Sequence, residues 1–240
     1  MNRSDNRTPQ ELRSVRFESH YTRWAEGSVL AKFGETHVLC NVTIDDNLPH
    51  WLRRRENPHG WLTAEYAMLP RSTHRRSQRE KRWPKGRTQE ISRLIGRSLR
   101  MAVDLQLLGK RQLIVDCDVL QADGGTRTAA ISGGWLAVAL ALKPLIANGD
   151  LPAEVMRRQV AAISVGVVAG TPLLDLAYDE DVAADSDLNI VMGAGGELIE
   201  IQGTAEKAPF SRAALGQLLD LAEAGIQELT RLQNEALETA

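Results

Sequence analysis

Cysteine is scarce in this 240-residue chain, which has only Cys40 and Cys117, each inside an apolar, strand-like run. Two isolated thiols without metal-ligand spacing exclude a disulfide framework and a cysteine-based zinc module; they read as buried, reduced side chains of a cytoplasmic protein. A continuous apolar run of about 20 residues, the length a membrane helix needs, is not apparent either. The opening MNRSDNRTPQELRS is polar, with neither the apolar core nor the small-residue cleavage site of a secretory signal. The expectation is a cytoplasmic protein with no membrane partner. Net charge is slight as well, −2 from 29 basic and 31 acidic residues, so bulk electrostatics select no ligand. Basic residues nevertheless crowd the stretch from Arg53 to Arg100 and acids prevail from Asp175 onward. One surface should therefore attract a polyanion and another repel it.

A hydrophobic fraction of 43% over this length suffices for a proper core. GSVLAKFGETHVLCNVTIDD holds two β-rich runs around Gly34-Glu35, a hairpin signal. Residues 48–86 show no clear periodicity and read as a long loop, of the kind that is functional or disordered in compact domains. A helix is expected from Thr88, with Ile91, Leu94, Ile95, Leu99, Ala102 and Val103 on one face and Gly109 closing it. Residues 111–121 alternate as a strand, with Leu113, Val115, Cys117 and Val119 on one side. The helix after Thr126 is apolar nearly all round, belongs in the interior, and should stop near Pro144. Four short strands follow, and then a long helix capped by Ser211 with a stripe of Leu215, Leu218, Leu219, Ala222, Ile226 and Leu229. No repeat or linker is visible. The expected fold class is α+β, a single domain over 1–240 with mixed β-sheets packed against α-helices.

Three stretches carry chemistry. DGGTRT opens the apolar helix with two glycines and Arg127. Unpartnered first-turn N–H groups suit an anion, and a cation at the positive helix end becomes favourable once a dianion lies between guanidinium and amides. An ordinary turn with a solvated arginine fits the same residues; the stretch is neither a P-loop nor a dinucleotide fingerprint. Arg87 precedes a second helix, so two helix entrances each offer an arginine that could clamp one phosphate. PRSTHRRSQREKRWPKGR supplies Arg71, Arg75, Arg76, Arg79, Lys81, Arg82 and Lys85, a density that binds nucleic acid through counterion release or merely solubilises a loop. Trp51, Trp61, Tyr66 and Trp83 could stack on bases or sit in the core. YDEDVAADSDLNIVM sets Asp179, Glu180 and Asp181 at a strand end, with Asp185, Asp187 and Asn189 alternating on the next strand. Such oxygens suit Mg²⁺ or Mn²⁺, and a carboxyl crowded by its neighbours suits a general acid; a solvated acidic turn is the alternative.

Taken in order, EGSVLAKFGETHVLC, GWLTAEYAMLPRSTHRRSQRE, GRTQEISRLIGRSLR, VDCDVLQADGGTRTAAISGG, LLDLAYDEDVAADSDLNIVM and EIQGTAEKAPFSRAAL resemble the ribonuclease PH family of phosphate-dependent 3′ exoribonucleases. The resemblance runs nearly end to end. It implies that Arg87, Gly125, Thr126 and Arg127 bind inorganic phosphate as co-substrate. It implies that Asp181 and Asp187 form the catalytic acidic pair with Mg²⁺ or Mn²⁺ near them, the division of labour between the two being open. It further implies removal of 3′-terminal nucleotides from tRNA precursors as nucleoside diphosphates, and a homohexamer built as a trimer of dimers. In that ring Arg71, Arg75, Arg76 and Arg79 would face RNA. Lys207 stands where the family usually has glycine. The alternatives are a noncatalytic ring subunit of the same fold, a different RNA-binding module, and a small-molecule phosphotransferase.

Overall fold

The computed structural model describes residue 3 and residues 5–80, 84–207 and 209–240. Lys81, Arg82 and Trp83 lie outside the described residues. Two sheets sandwich one helix. The first has order β1-β2-β3-β5-β4, comprising Val15–Ser19, Gly27–Phe33, Thr36–Asp45, Gln112–Gln121 and, as β4, Trp61–Met68. All neighbours are antiparallel except β4 and β5, whose parallel pairing needs a crossover, supplied by α2 (Gly86–Arg100). The second sheet has order β7-β6-β8-β9: Thr171–Leu174, Val160–Val168, Ser186–Gly193 and Leu198–Ala205.

Between the sheets runs α3 (Thr126–Ala147), buried without interruption from Thr128 to Leu142. By length and composition this is a helix that could cross a membrane, a match the sequence reading did not register; here its apolar surface is spent on both sheets, which explains why it has no polar face. It lies flush on the first sheet because Gly133 has no side chain: a Cβ there would come within 2.7 Å of the Ala31 Cβ. One hydrophobic cluster joins residues of both sheets, α2, α3 and α5 (Arg212–Glu238). Cys40 and Cys117 face each other in the β3–β5 register, both buried and free. Both thiols donate to the Ala130 carbonyl, and the neighbouring Cys40 together with burial pushes the Cys117 thiol well up, so it stays protonated.

The Gly34-Glu35 hairpin and the Ser211 cap are present, with Ser211 Oγ accepting from the Ala214 N–H at 3.1 Å. Several boundaries differ. The 48–86 stretch is not all loop: it contains α1 (His50–Arg53) and β4, whose Leu62, Ala64 and Tyr66 are buried in alternation. α2 starts earlier than expected, at Gly86, because Thr88 is not its cap; its hydroxyl donates to Glu80 Oε1 at 3.0 Å. α2 also ends earlier, at Arg100 rather than Gly109. The Ala102 carbonyl accepts from the Arg157 N–H at 2.8 Å, and Val103 bridges to Met156, so residues past Arg100 are bonded to a distant segment instead of to the helix. α3 continues past Pro144 to Ala147. The run Asp179–Asp181 lies not at a strand end but on a one-turn-and-a-half helix, α4 (Tyr178–Ala183).

Candidate active site

Two helix entrances and one strand converge on a cavity of about 1040 Å³. Its wall includes Arg87 from the first turn of α2, Gly124 to Arg127 at the start of α3, Asp181 on α4, and Asp187 and Asn189 on β8. Arg87, Gly125, Thr126, Arg127, Asp181 and Asp187, drawn from four separate stretches, thus share one cavity.

The glycine loop is built for close approach. Gly125, the residue before α3, has φ 63° and Gly124 has φ 76°, both in the left-handed region that glycine tolerates. A Cβ on Gly124 would meet the Leu176 carbonyl oxygen at 2.5 Å. Thr36 fastens the loop: its hydroxyl donates to the Gly124 carbonyl at 2.6 Å and accepts from the Asp123 N–H at 2.8 Å. Thr128 Oγ1 donates to the Gly125 carbonyl at 2.9 Å, while Thr126 Oγ1 lies 2.8 Å from the buried Tyr66 hydroxyl. The loop carbonyls are thus taken by hydroxyl donors, while the first-turn N–H groups of α3, at the cavity wall, have no partner within the helix and suit an anion.

Arg127 is half-buried and held by a relay. Its Nη1 donates to Gln202 Oε1 at 2.6 Å, and Gln202 Nε2 donates to Glu90 Oε1 at 2.5 Å. Arg87, by contrast, is exposed. Both guanidiniums lie close enough to pull down the proton affinity of Asp181, but desolvation in the cavity wall outweighs them and its carboxyl sits above the ordinary carboxylate value. Asp187 is raised too, by desolvation first and then by repulsion from Asp181 and Glu206, against the pull of Arg127 and a backbone hydrogen bond.

Of the basic segment, Arg71, Arg75, Arg76 and Arg79 are all exposed, and Arg75 lines the cavity together with Thr73 and His74. The other three do not line it. Arg79 instead lies near enough to Asp118 to act on its carboxyl. Asp185 belongs to a different contact from Asp187: its Oδ1 accepts from Lys207 Nζ at 2.9 Å, and the same ammonium donates to the Ala183 carbonyl at 2.8 Å. Lys207 therefore ties the end of α4 to the start of β8 on the cavity rim. Sequence reading missed Glu90, Gln202 and Glu206 because each lies far along the chain from the residue it serves; Tyr66 was noted only as an aromatic.

Among the described residues no group of three or more histidine, cysteine or acidic side chains is arranged to hold a metal. The cavity wall nevertheless carries the carboxylates of Asp181 and Asp187, with Glu206 close enough to act on both. Hard, mutually repelling oxygens of this kind fit a small divalent cation whose other positions are taken by water and substrate oxygens.

The sequence matches the 3′ exoribonuclease family, domain 1, over residues 11–144 and domain 2 over residues 158–225. A ribonuclease PH of Crocosphaera subtropica is 55% identical over 238 residues, covering 99% of this chain and 98% of that protein. A crystal structure of rice Rrp46 superposes with TM-score 0.79 at 18% identity, covering 98% and 100% of the two chains. A chain of the Archaeoglobus fulgidus exosome with RNA bound to the active site gives 0.77 at 22%, covering 96% and 92%. With both family domains and a near full-length match at that identity, the chain belongs to the 3′ exoribonuclease family.

Proposed function

We propose that this chain is a phosphate-dependent 3′→5′ exoribonuclease that removes nucleotides from the 3′ ends of tRNA precursors and other RNAs, releasing nucleoside 5′-diphosphates reversibly. The observation that carries the reading is the meeting of Arg87 and Arg127 with Asp181 and Asp187 around one cavity. An oxygen of orthophosphate attacks the phosphorus of the last phosphodiester. The bond from that phosphorus to the preceding 3′ oxygen breaks, and the freed oxygen takes a proton. Phosphate is already nucleophilic as a dianion, so placement, charge cancellation and proton supply remain for the protein. Arg87, Gly125, Thr126 and Arg127 place and neutralise. Burial raises the proton affinity of both Asp181 and Asp187, which suits either carboxyl to supply the proton that the departing oxygen takes. Mg²⁺ or Mn²⁺, held by Asp181 and Asp187, would add neutralising charge at the transferring group.

The chain works as a single domain in a cytoplasmic homohexamer, a trimer of dimers, with Arg71, Arg75, Arg76 and Arg79 facing RNA; their shared exposure on the segment leading to the cavity supports this. A noncatalytic ring subunit of the same fold is disfavoured because the arginines and aspartates of the site are all present. End-labelled RNA incubated with and without phosphate tests the function. Diphosphates released only with phosphate support it; monophosphates released regardless would establish a hydrolase instead.

A further inference from the structure

The segment before β1 carries three arginines, Arg3, Arg7 and Arg13, and folds against the loop that leads into α4. Arg13 is buried, with Nε donating to Asp175 Oδ2 at 2.9 Å, Nη2 to Asp175 Oδ1 at 2.6 Å, and its backbone N–H to Oδ2 at 2.8 Å. Asp175 is fully buried. The remaining arm of the fork, Nη1, donates to the carbonyl of Asp123, immediately before Gly124. Arg13 Nη2 also lies 3.0 Å from where a Cβ of Gly125 would stand, so the guanidinium backs the glycine loop directly.

Arg3 does the corresponding thing on the acidic side. Its Nε and Nη2 donate to the two carboxylate oxygens of Glu180, each at 2.7 Å, and Nη2 reaches the Asp175 carbonyl at 2.9 Å. Glu180 Oε2 in turn accepts from the Ala177 N–H at 2.9 Å, closing the first turn of α4 one residue before Asp181. Arg7 joins the two pairs: its Nη1 donates to the Asp175 carbonyl at 3.1 Å, and the guanidinium lies 3.6 Å from the carboxylates of both Asp175 and Glu180. The Leu174 N–H donates to the Pro9 carbonyl at 2.8 Å, completing the seam.

We propose that Arg13 and Arg3 are positioning residues: Arg13, through Asp175 and the Asp123 carbonyl, fixes the glycine loop that takes phosphate, and Arg3, through Glu180, fixes the helix that presents Asp181. The N-terminal segment thereby couples the two halves of the site. Neither arginine lines the cavity, so neither touches substrate. The planar fork is what the geometry uses: one guanidinium satisfies two carboxylate oxygens and a carbonyl at once, which an ammonium on a flexible stem cannot reproduce. This inference rests on the phosphorolytic reading.

The test uses the full chain with Arg13→Lys and Arg3→Lys, each keeping its charge and losing the fork. Arg13→Lys should raise the KM for phosphate about tenfold, on the scale of lost charge-assisted hydrogen bonds, with the KM for RNA unchanged. Arg3→Lys should lower kcat about tenfold with the KM for phosphate unchanged. Amide exchange should accelerate at Gly124 to Arg127 in the first variant and at Asp181 in the second. Should a lysine variant not fold, the near-isosteric Asp175→Asn and Glu180→Gln carry the same two expectations. Folded variants with unchanged constants, or with all constants reduced alike, overturn the proposal. A wild type that releases no diphosphate with phosphate present defeats the phosphorolytic reading itself, whereas an active wild type beside unaffected variants defeats only the positioning role.

Discussion

Arg127 at the entrance of α3 and Gln202 on β9 are joined by a hydrogen bond of 2.6 Å, so a guanidinium lining the cavity is aimed by the second sheet. Gln202 also reaches back to Glu90 on α2, which leaves Arg127 4.0 Å from that carboxylate rather than bonded to it. The amide thus keeps the guanidinium from collapsing onto Glu90. Gln202→Leu should raise the KM for phosphate about tenfold, the scale of a hydrogen bond to a charged group, and leave thermal stability nearly unchanged. Steady-state kinetics with phosphate as the varied substrate check it; an unaltered KM would mean that Arg127 needs no aiming.

On the proposed phosphorolytic reading, replacing Arg127 itself by alanine removes a donor to the transferring phosphoryl group. Turnover should fall by about 10²-fold. Arg87→Ala should cost less, since its side chain is exposed and more strongly screened. Single-turnover release of labelled diphosphate separates the two.

Gly125→Ala forces a Cβ into a φ of 63° and against Arg13 Nη2 and Thr128 Oγ1, at 3.0 and 3.2 Å. The left-handed conformation alone costs about 1–2 kcal/mol, which corresponds to a melting temperature lower by roughly 2–8 °C in a chain of this size. Calorimetry reads the shift directly.

The basic segment should act on RNA and not on phosphate. Replacing Arg71, Arg76 and Arg79, none of which lines the cavity, together by glutamine should raise the KM for RNA and flatten its dependence on salt, because fewer counterions are released, with the KM for phosphate unchanged. A titration from low to high ionic strength measures the slope.

On the face of the first sheet opposite α2 and α3, burial and then the neighbouring Glu65 and Asp118 carboxylates raise the proton affinity of Asp116, and burial raises that of Asp118 against the pull of Arg79. Since folding raises both, the folded state binds protons more tightly than the unfolded one, and stability is lost as pH climbs through the folded values. Asp116→Asn should therefore raise the melting temperature at neutral pH, with the gain vanishing below about pH 4, near the ordinary aspartate value. Lower stability at neutral pH would instead mean that the folded state favours the charged carboxylate.

Much of this was legible along the chain. Periodicity exposed the buried side of β5 and the stripe of α5, since alternation of 2 and 3.6 is a property of the local backbone. The all-round apolar character of α3 announced a helix with protein on every side. The acidic run was harder: YDEDVA is too short for a period to show, so Asp179–Asp181 read as a strand end where the structure has α4. The extent of α2 depended on partners far away, because the carbonyl of Ala102 goes to Arg157, and no local pattern registers that.

Residue types and their neighbours along the chain were enough to nominate glycines before a helix, arginines at two helix entrances and aspartates alternating on a strand, because these follow from helix-end polarity and strand geometry, which are local. Whether those groups meet, and which unnoticed side chains aim them, was decided only by the packing of two sheets around α3, which brings Arg87, Arg127, Asp181 and Asp187 to one cavity and sets Gln202 and Arg13 behind it. Convergence of that kind arises from long-range burial and buried charge pairing, and neither leaves a mark at fixed spacing.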